Sequence, residues 1–166
     1  MEEIWKSIEG FESYQVSNMG NVKSLPRTTT KGGLLKLKME KNNYMRVCLF
    51  KDKKKHYKLV HRLVLQAFNP TEEKLDVDHE DNNKSNNCLY NLRWCSDSEN
   101  NMNKPKRQGC SSKYKGVTWD KWNNKWKTTC QHNHIGLFDD EEEAGRAYDA
   151  YIIQHLADFG ILNFPV

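Results

Sequence analysis

Asp78 and His79 stand side by side in the run DVDHEDNNKSNNCLYNLRW, residues 76–94, with Asn91 near its end and Asn100 just beyond it. An Asp and an Asn offer two hard oxygen ligands. With positions left open for water and a phosphate oxygen, they suit Mg²⁺ or Mn²⁺. An imidazole that titrates near neutrality can take a proton from water. Phosphodiester hydrolysis needs these two parts: a base to make hydroxide, and a cation to neutralise charge on the phosphate and the leaving oxygen. The bland reading of the same residues is an Asp-His surface turn beside an asparagine-rich loop, since Asn tolerates turn geometry.

The chemistry depends on what brings these residues together. LDVDH reads as a short strand ending in Asp78 and His79, and NLRWC as its return, with Leu92 and Trp94 as core residues. A helix is expected around 96–103, with Ser96 or Ser98 as its cap. A strand pair followed by a helix would let Asp78 and Asn100 converge around His79. Upstream, SYQVSNMGNVKSL alternates Tyr14 and Val16 before a turn at 18–21 and Val22 and Leu25 after it, a hairpin pattern with Gly and Asn in the turn. Gly32-Gly33 predicts a second turn. LLKLKM, YMRVCLF and HYKLV read as half-buried strands, with the charged turn KDKKK (51–55) between the last two. From Val60 the period becomes helical, through Leu63, Val64, Ala67 and Phe68, and Asn69-Pro70 ends it.

KPKRQGCSS (104–112) reads as a polar linker, and the pattern restarts beyond it. YKGVTWD, KWKTTCQ and HNHIGLF predict three strands, with a turn at 122–125. DDEEEAGRAYDAYIIQHLADFG predicts a helix capped by Asp139 or Asp140, with an apolar stripe of Ala144, Ala147, Tyr148, Tyr151, Ile152 and His155 and a stop near Gly160.

Composition narrows the function classes. The chain has 166 residues, of which 37% are hydrophobic, so its cores are expected to be small. No apolar run is long enough for a membrane helix, and MEEIWKSIEG lacks a signal peptide's basic and apolar regions. The cysteines (48, 88, 95, 110 and 130) never form C-x-x-C, which argues against a disulfide framework or a structural zinc site and for an intracellular protein with reduced thiols. The net charge of +4 is unevenly spread: residues 104–127 carry eight Lys or Arg and one acid, whereas residues 139–158 carry one base and seven acids. One face of the C-terminal third is thereby suited to a polyanion.

VHRLVLQAFNP, LDVDHEDNNKSNNCLYNLRW and SENNMN together resemble the HNH endonucleases of the phage and intron homing subgroup, over about residues 44 to 103. The resemblance implies a ββα-metal active site in which Asp78 is the first metal ligand and His79 the general base. Asn91 is then the central Asn that holds the loop and orients the base, and Asn100 the last ligand, with Asn101 beside it. Asn in place of His at the last position departs from the bacterial toxin and Cas-type pattern and agrees with the homing subgroup. Arg93 is a candidate for the phosphate backbone.

EIWKSIEGFESYQVSNMGNVKSL is similar to the nuclease-associated modular domain that often precedes HNH cores. SKYKGVTWDKWNNKWKTTCQHNHIGLFDDEEEAGRAYDAYIIQHLADFGILNFP resembles the plant ethylene-response-factor (Apetala-type) DNA-binding domain. That likeness implies a three-stranded antiparallel sheet in the major groove with one helix behind it. The DNA-facing candidates are Lys113, Lys115, Thr118, Trp119, Lys121, Lys125, Lys127 and Thr129. Lysines here replace the plant domains' arginines and lack their bidentate fork, so phosphate contact is expected more than base reading.

The expectation is therefore an α+β modular protein: a β-rich module at 1–43, an HNH unit at 44–103, a linker at 104–112 and a DNA-binding domain at 113–166. Its function would be hydrolysis of double-stranded DNA with Mg²⁺ or Mn²⁺. No membrane or small-molecule cofactor is expected, a monomer is favoured, and the setting would be the cytoplasm of a bacterial or virus-infected cell. The rivals are a non-catalytic DNA-binding protein that keeps the HNH scaffold and a structural zinc protein.

Overall fold

The structure is a computed structural model and describes residues 2–28, 30–156 and 159–165. Asp158, the last acid of the acidic run, lies outside the described residues. The chain divides into two compact units, residues 1–96 and 97–166.

The first unit opens with a four-stranded antiparallel sheet in the order β1 (Trp5–Ile8), β2 (Phe11–Ser17), β3 (Val22–Ser24) and β4 (Gly33–Leu34). The 18–21 turn forms where Gly and Asn predicted it. Ser17 Oγ accepts from the backbone N–H groups of Met19 (3.2 Å) and Asn21 (3.1 Å), and Gly20 takes φ +82°. A second antiparallel sheet contains β5 (Lys38–Met39), β6 (Met45–Lys51) and β7 (Lys54–Leu59).

LLKLKM is not one strand. Its start, Leu34, belongs to β4 in the first sheet and its end to β5 in the second. Leu35 and Leu37 pack on the core between those strands, while Met39 is exposed. The chain thus uses its alternating leucines to cross between sheets. The phenol of Tyr14 also links them, accepting from the Phe50 N–H at 3.0 Å.

Helix α1 (Val60–Phe68) follows β7 directly and buries Val60, Val64 and Leu65. Full burial of such side chains contributes about 1.5–3 kcal/mol each. The helix ends at Asn69, whose N–H reaches the Leu65 carbonyl at 2.7 Å, and Pro70 blocks its continuation. The hairpin β8 (Asp76–His79) and β9 (Leu92–Cys95) completes the unit, with a 3₁₀ turn at Leu89–Asn91 before β9. One hydrophobic cluster runs through all these parts, from Ile8, Tyr14, Val16 and Val22 through Val47, Leu49, Val60, Val64 and Leu65 to Val77 and Leu92. The β-rich start and the hairpin therefore share a core.

The second unit begins with helix α2 (Asp97–Asn103). A three-stranded antiparallel sheet follows, in the order β10 (Val117–Asp120), β11 (Lys125–Cys130) and β12 (Asn133–Phe138), and then helix α3 (Glu141–His155). Asp140 caps α3 through the Glu143 N–H at 2.8 Å. Ala144, Tyr148 and Ile152 of the expected stripe are buried. Gly116 has φ +78°, and a Cβ there would stand 2.1 Å from the Tyr148 ring, so only glycine lets strand and helix approach this closely. The tail is tied back by Asp149, a buried carboxylate that accepts from the N–H groups of Asn163 and Phe164, both at 2.8 Å. Asn163 in turn accepts from the Lys115 N–H (2.6 Å) and donates to the Lys115 carbonyl (3.1 Å).

All five cysteines are free thiols. Among the described residues, no helix is long and apolar enough to cross a membrane.

Candidate active site

The β8–β9 register puts Asp78 opposite Arg93 and His79 opposite Leu92. Period-2 alternation then sends Asp78 and His79 to opposite faces of the hairpin. Both are buried. Arg93 meets its cross-strand partner with two nitrogens on one oxygen, Nε at 2.9 Å and Nη2 at 2.8 Å from Asp78 Oδ2. Arg93, read in the sequence as a candidate for DNA phosphate, is placed against Asp78. Helix α1 is fixed to β8 by Arg62, which donates to Asp76 Oδ1 (2.8 Å) and to the Leu75 carbonyl (3.1 Å).

The asparagine-rich connection between the strands is a built loop. Asn91 is its tie: Oδ1 accepts from the Asp81 N–H (3.0 Å), and Nδ2 donates to Asp81 Oδ1 and the Asn86 carbonyl (both 2.9 Å). Asp81 also accepts from the Asn83 N–H (2.8 Å) and from Asn86 Nδ2 (2.7 Å). Burial pushes its carboxyl up, but the bonds from Asn86, Asn83 and Asn91 outweigh this and hold it below the usual carboxylate range. Asn82 takes the left-handed conformation, φ 58°, that asparagine tolerates. Side chains thus supply many of the hydrogen bonds that a regular strand would take from its neighbours.

The ring of His79 faces a residue that the sequence did not single out. Its Nε2 lies 3.5 Å from Asn87 Oδ1, a long contact. Asn87 is itself buried and donates to the Ser85 carbonyl at 3.0 Å. The His61 ring packs edge-on against His79 at 5.2 Å, and Tyr44 lies 4.9 Å from His61 and 5.9 Å from His79. Burial lowers the His79 pKa, opposed in part by Asn87, Asp81 and Asp78, which favours the neutral imidazole. His61 is lowered to about 3, first by burial and then by its neighbours His79 and Arg62. Its Nδ1 is the one buried side-chain nitrogen or oxygen among the described residues with no hydrogen-bond partner. In the sequence, His61 showed as the start of the helix that carries the HNH resemblance and Tyr44 as part of a strand, neither as a site residue. Their signal was residue type alone.

Asn100 sits half-buried on α2, in the second unit. Asn101 beside it is exposed, and its Oδ1 accepts from Lys104 Nζ at 2.7 Å. Among the described residues, no group of three or more His, Cys, Asp or Glu side chains gathers into a metal cage. Asp78 and Asn100 belong to different units, and a carboxylate and an amide oxygen are by type hard ligands, suited to an oxygen-seeking divalent cation and not to a closed thiolate zinc site.

On the C-terminal sheet, the β10–β11 register pairs Thr118 with Lys127, Trp119 with Trp126, and Asp120 with Lys125. Alternation puts Thr118, Lys125, Lys127 and Thr129 on the face away from α3. Trp119 falls on the other face, stacked edge-on against Trp126 at 4.9 Å, though still 38% exposed. Lys121 is exposed in the turn, and Lys113 is exposed before β10. Lys125 pairs with Asp139 at 3.1 Å. Lys115 is elsewhere: its ammonium donates to the carbonyls of Met102 and Lys104, because carbonyls at a helix C-terminus attract a cation.

Comparison with known proteins agrees with this architecture. Residues 3–50 match the NUMOD4 motif and residues 58–102 the HNH endonuclease model. The chain is 45% identical over 105 residues to DNA endonuclease I-HmuI of Bacillus phage SP01, covering 62% of this chain and 58% of the phage enzyme. A solved structure described as DNA binding and cleavage by the HNH homing endonuclease I-HmuI superposes with a TM-score of 0.55 at 46% identity, covering 62% of this chain and 57% of that one. An AP2-like ethylene-responsive transcription factor of Arabidopsis thaliana is 34% identical over 62 residues, which is 36% of this chain and 14% of the plant protein. The chain thus spans less than two thirds of each of these relatives. With its Asp-His strand end, its asparagine-tied loop and its Asn-Leu-Arg-Trp return strand, the segment 58–102 is similar to the HNH endonucleases.

Proposed function

We propose that the chain is a homing-type DNA endonuclease that hydrolyses phosphodiester bonds of double-stranded DNA. The observation that carries the reading is His79: a buried imidazole at the end of β8, its pKa lowered by burial, next in sequence to the Arg93-paired carboxylate of Asp78. His79 takes a proton from the attacking water. Asn91 keeps the loop closed behind it. Asp78 and Asn100 are the proposed ligands for Mg²⁺ or Mn²⁺. When bound, the cation supplies positive charge to the phosphate and the departing oxygen. Arg93 holds the Asp78 carboxylate in one orientation.

The C-terminal segment is proposed to bind the duplex as an ethylene-response-factor-like domain, with Thr118, Lys125, Lys127 and Thr129 on its outer face and Lys113 and Lys121 at its margins. Trp119 contributes its exposed edge. The β-rich start at 1–43, the HNH unit at 44–103 and the domain at 113–166 are the functional modules of this reading.

Nicking of supercoiled plasmid with Mg²⁺, with and without EDTA, tests the proposal. His79→Ala is expected to lose about 10²–10⁴-fold in cleavage, the usual contribution of a general base, with DNA affinity retained. Nicking at the wild-type rate would overturn the assignment. One observation favours the non-catalytic rival: Arg93 already occupies Asp78 Oδ2. A wild-type protein that binds DNA and never nicks it would establish that rival.

A further inference from the structure

The composition of KPKRQGCSS reads as a polar linker between a nuclease and a DNA-binding domain. The contacts of α2 describe a different joint. Met102, near the end of α2, is buried in a cluster with Cys130 of β11 and Tyr148 and Ile152 of α3. Its sulfur lies 3.7 Å from the Cys130 thiol. Lys115 reaches the same place from the start of the domain, and its ammonium donates to the Met102 carbonyl and, at 2.6 Å, to the Lys104 carbonyl. Unpaired carbonyls at the end of a helix are where a cation is most useful.

The lysine is itself held in place. Asn163 brackets its backbone, accepting from the N–H at 2.6 Å and donating to the carbonyl at 3.1 Å, and Asn163 is fixed by Asp149 of α3. Gly116, the next residue, is pressed against Tyr148. An unbroken chain of contacts therefore runs from α3 through Asn163 and Lys115 to the end of α2. A solvated surface lysine loses its rotamer freedom only for a return. Here the return is an anchored short helix, in a length range where isolated helices are marginal.

We propose that Lys115 is a positioning residue for cleavage: by clamping the C-terminal end of α2 onto the β10–β12 domain, it sets the place of Asn100. The inference rests on the proposed role of Asn100 as a metal ligand. The C-terminal domain then serves the chemistry as well as the grip on DNA, and the residues between α2 and β10 are part of a joint. Burial lowers the Lys115 pKa, which accords with a side chain turned inward.

The test uses the full chain and two readouts. In Lys115→Met, amide hydrogen exchange of α2 is expected to accelerate by roughly tenfold or more, the scale of a lost helix-end charge contact. Amides of α3 in the same sample should keep their protection, which shows that the domain is still folded. Nicking turnover at saturating DNA should fall at least tenfold with little change in DNA affinity, and Lys115→Arg should restore both readouts. Unchanged α2 exchange, or wild-type turnover, in Lys115→Met overturns the proposal if Asn100→Ala is inactive. Normal nicking by Asn100→Ala overturns the ligand assignment and this proposal with it. Equal loss of protection in α2 and α3, unrepaired in Lys115→Arg, also overturns it, because Lys115 would then be a residue of general stability.

Discussion

Gly20 lies so close to Asn87 that a Cβ built on it would stand 2.9 Å from both the Cβ and the carbonyl oxygen of Asn87. The turn of the β-rich start thereby buttresses the residue that faces His79. Two neighbouring contacts reinforce it: the Leu89 N–H donates to the Asn18 carbonyl at 2.8 Å, and the Cys88 thiol lies 3.6 Å from the Met19 carbonyl.

Gly20→Ala should therefore act at a distance. A left-handed backbone and a clash with another backbone segment together cost about 1–3 kcal/mol. Urea unfolding should show that loss. Nicking turnover should fall more than DNA affinity, because the displaced loop carries Asn87 and not the proposed DNA-facing lysines. Equal losses in turnover and affinity would argue against the buttress.

The orphaned imidazole of His61 gives a pH signature in stability. Its unfolded form titrates near 6.5 and its folded form near 3, so the unfolded chain binds the extra proton throughout that interval. The stabilisation is complete above pH 6.5 and is lost as pH falls towards 3, and the lowered pKa of His79 acts in the same direction. His61→Phe keeps a ring between Tyr44 and His79 and removes both the titration and the unpaired Nδ1. Denaturant midpoints measured from pH 7 to pH 4 should fall less steeply for the variant than for the wild type.

Binding through the outer face of the C-terminal sheet should follow counterion release. Lys127→Ala is expected to weaken DNA binding and to make the slope of log affinity against log salt shallower by ~1. Fluorescence anisotropy at several salt concentrations measures this. An unchanged slope would remove Lys127 from the interface.

Residue order shows some of these relationships and hides others. The 18–21 turn, the β8–β9 hairpin, α1 and α3 each follow from local signals: positive-φ residues, alternation, a terminating Asn-Pro and an Asp cap. LLKLKM misleads because alternation reports which side of a strand is buried and not which sheet the strand joins. Asp78, His79 and Asn91 stood out because polar residues are unusual in a short apolar hairpin. Asn87 did not, since in a run of asparagines nothing local distinguishes the one that meets a ring from those that close turns. Lys115 was hidden for a similar reason. Its place in a basic stretch suggests a DNA contact, and only the path of α2 reveals the carbonyls it meets.

The Asn163 bracket has a consequence for biosynthesis. The core that runs from Ile8 to Leu92 contains everything it needs once those residues are available, so it can close while later ones are still being made. The partner unit has no such freedom: Lys115 waits for Asn163, and Asp149 for Asn163 and Phe164. Until residue 164 leaves the ribosome, Lys115 lacks the Asn163 bracket that holds it against the end of α2. A nascent chain would therefore acquire its imidazole-bearing unit well before the unit that carries Asn100 is fully tied down.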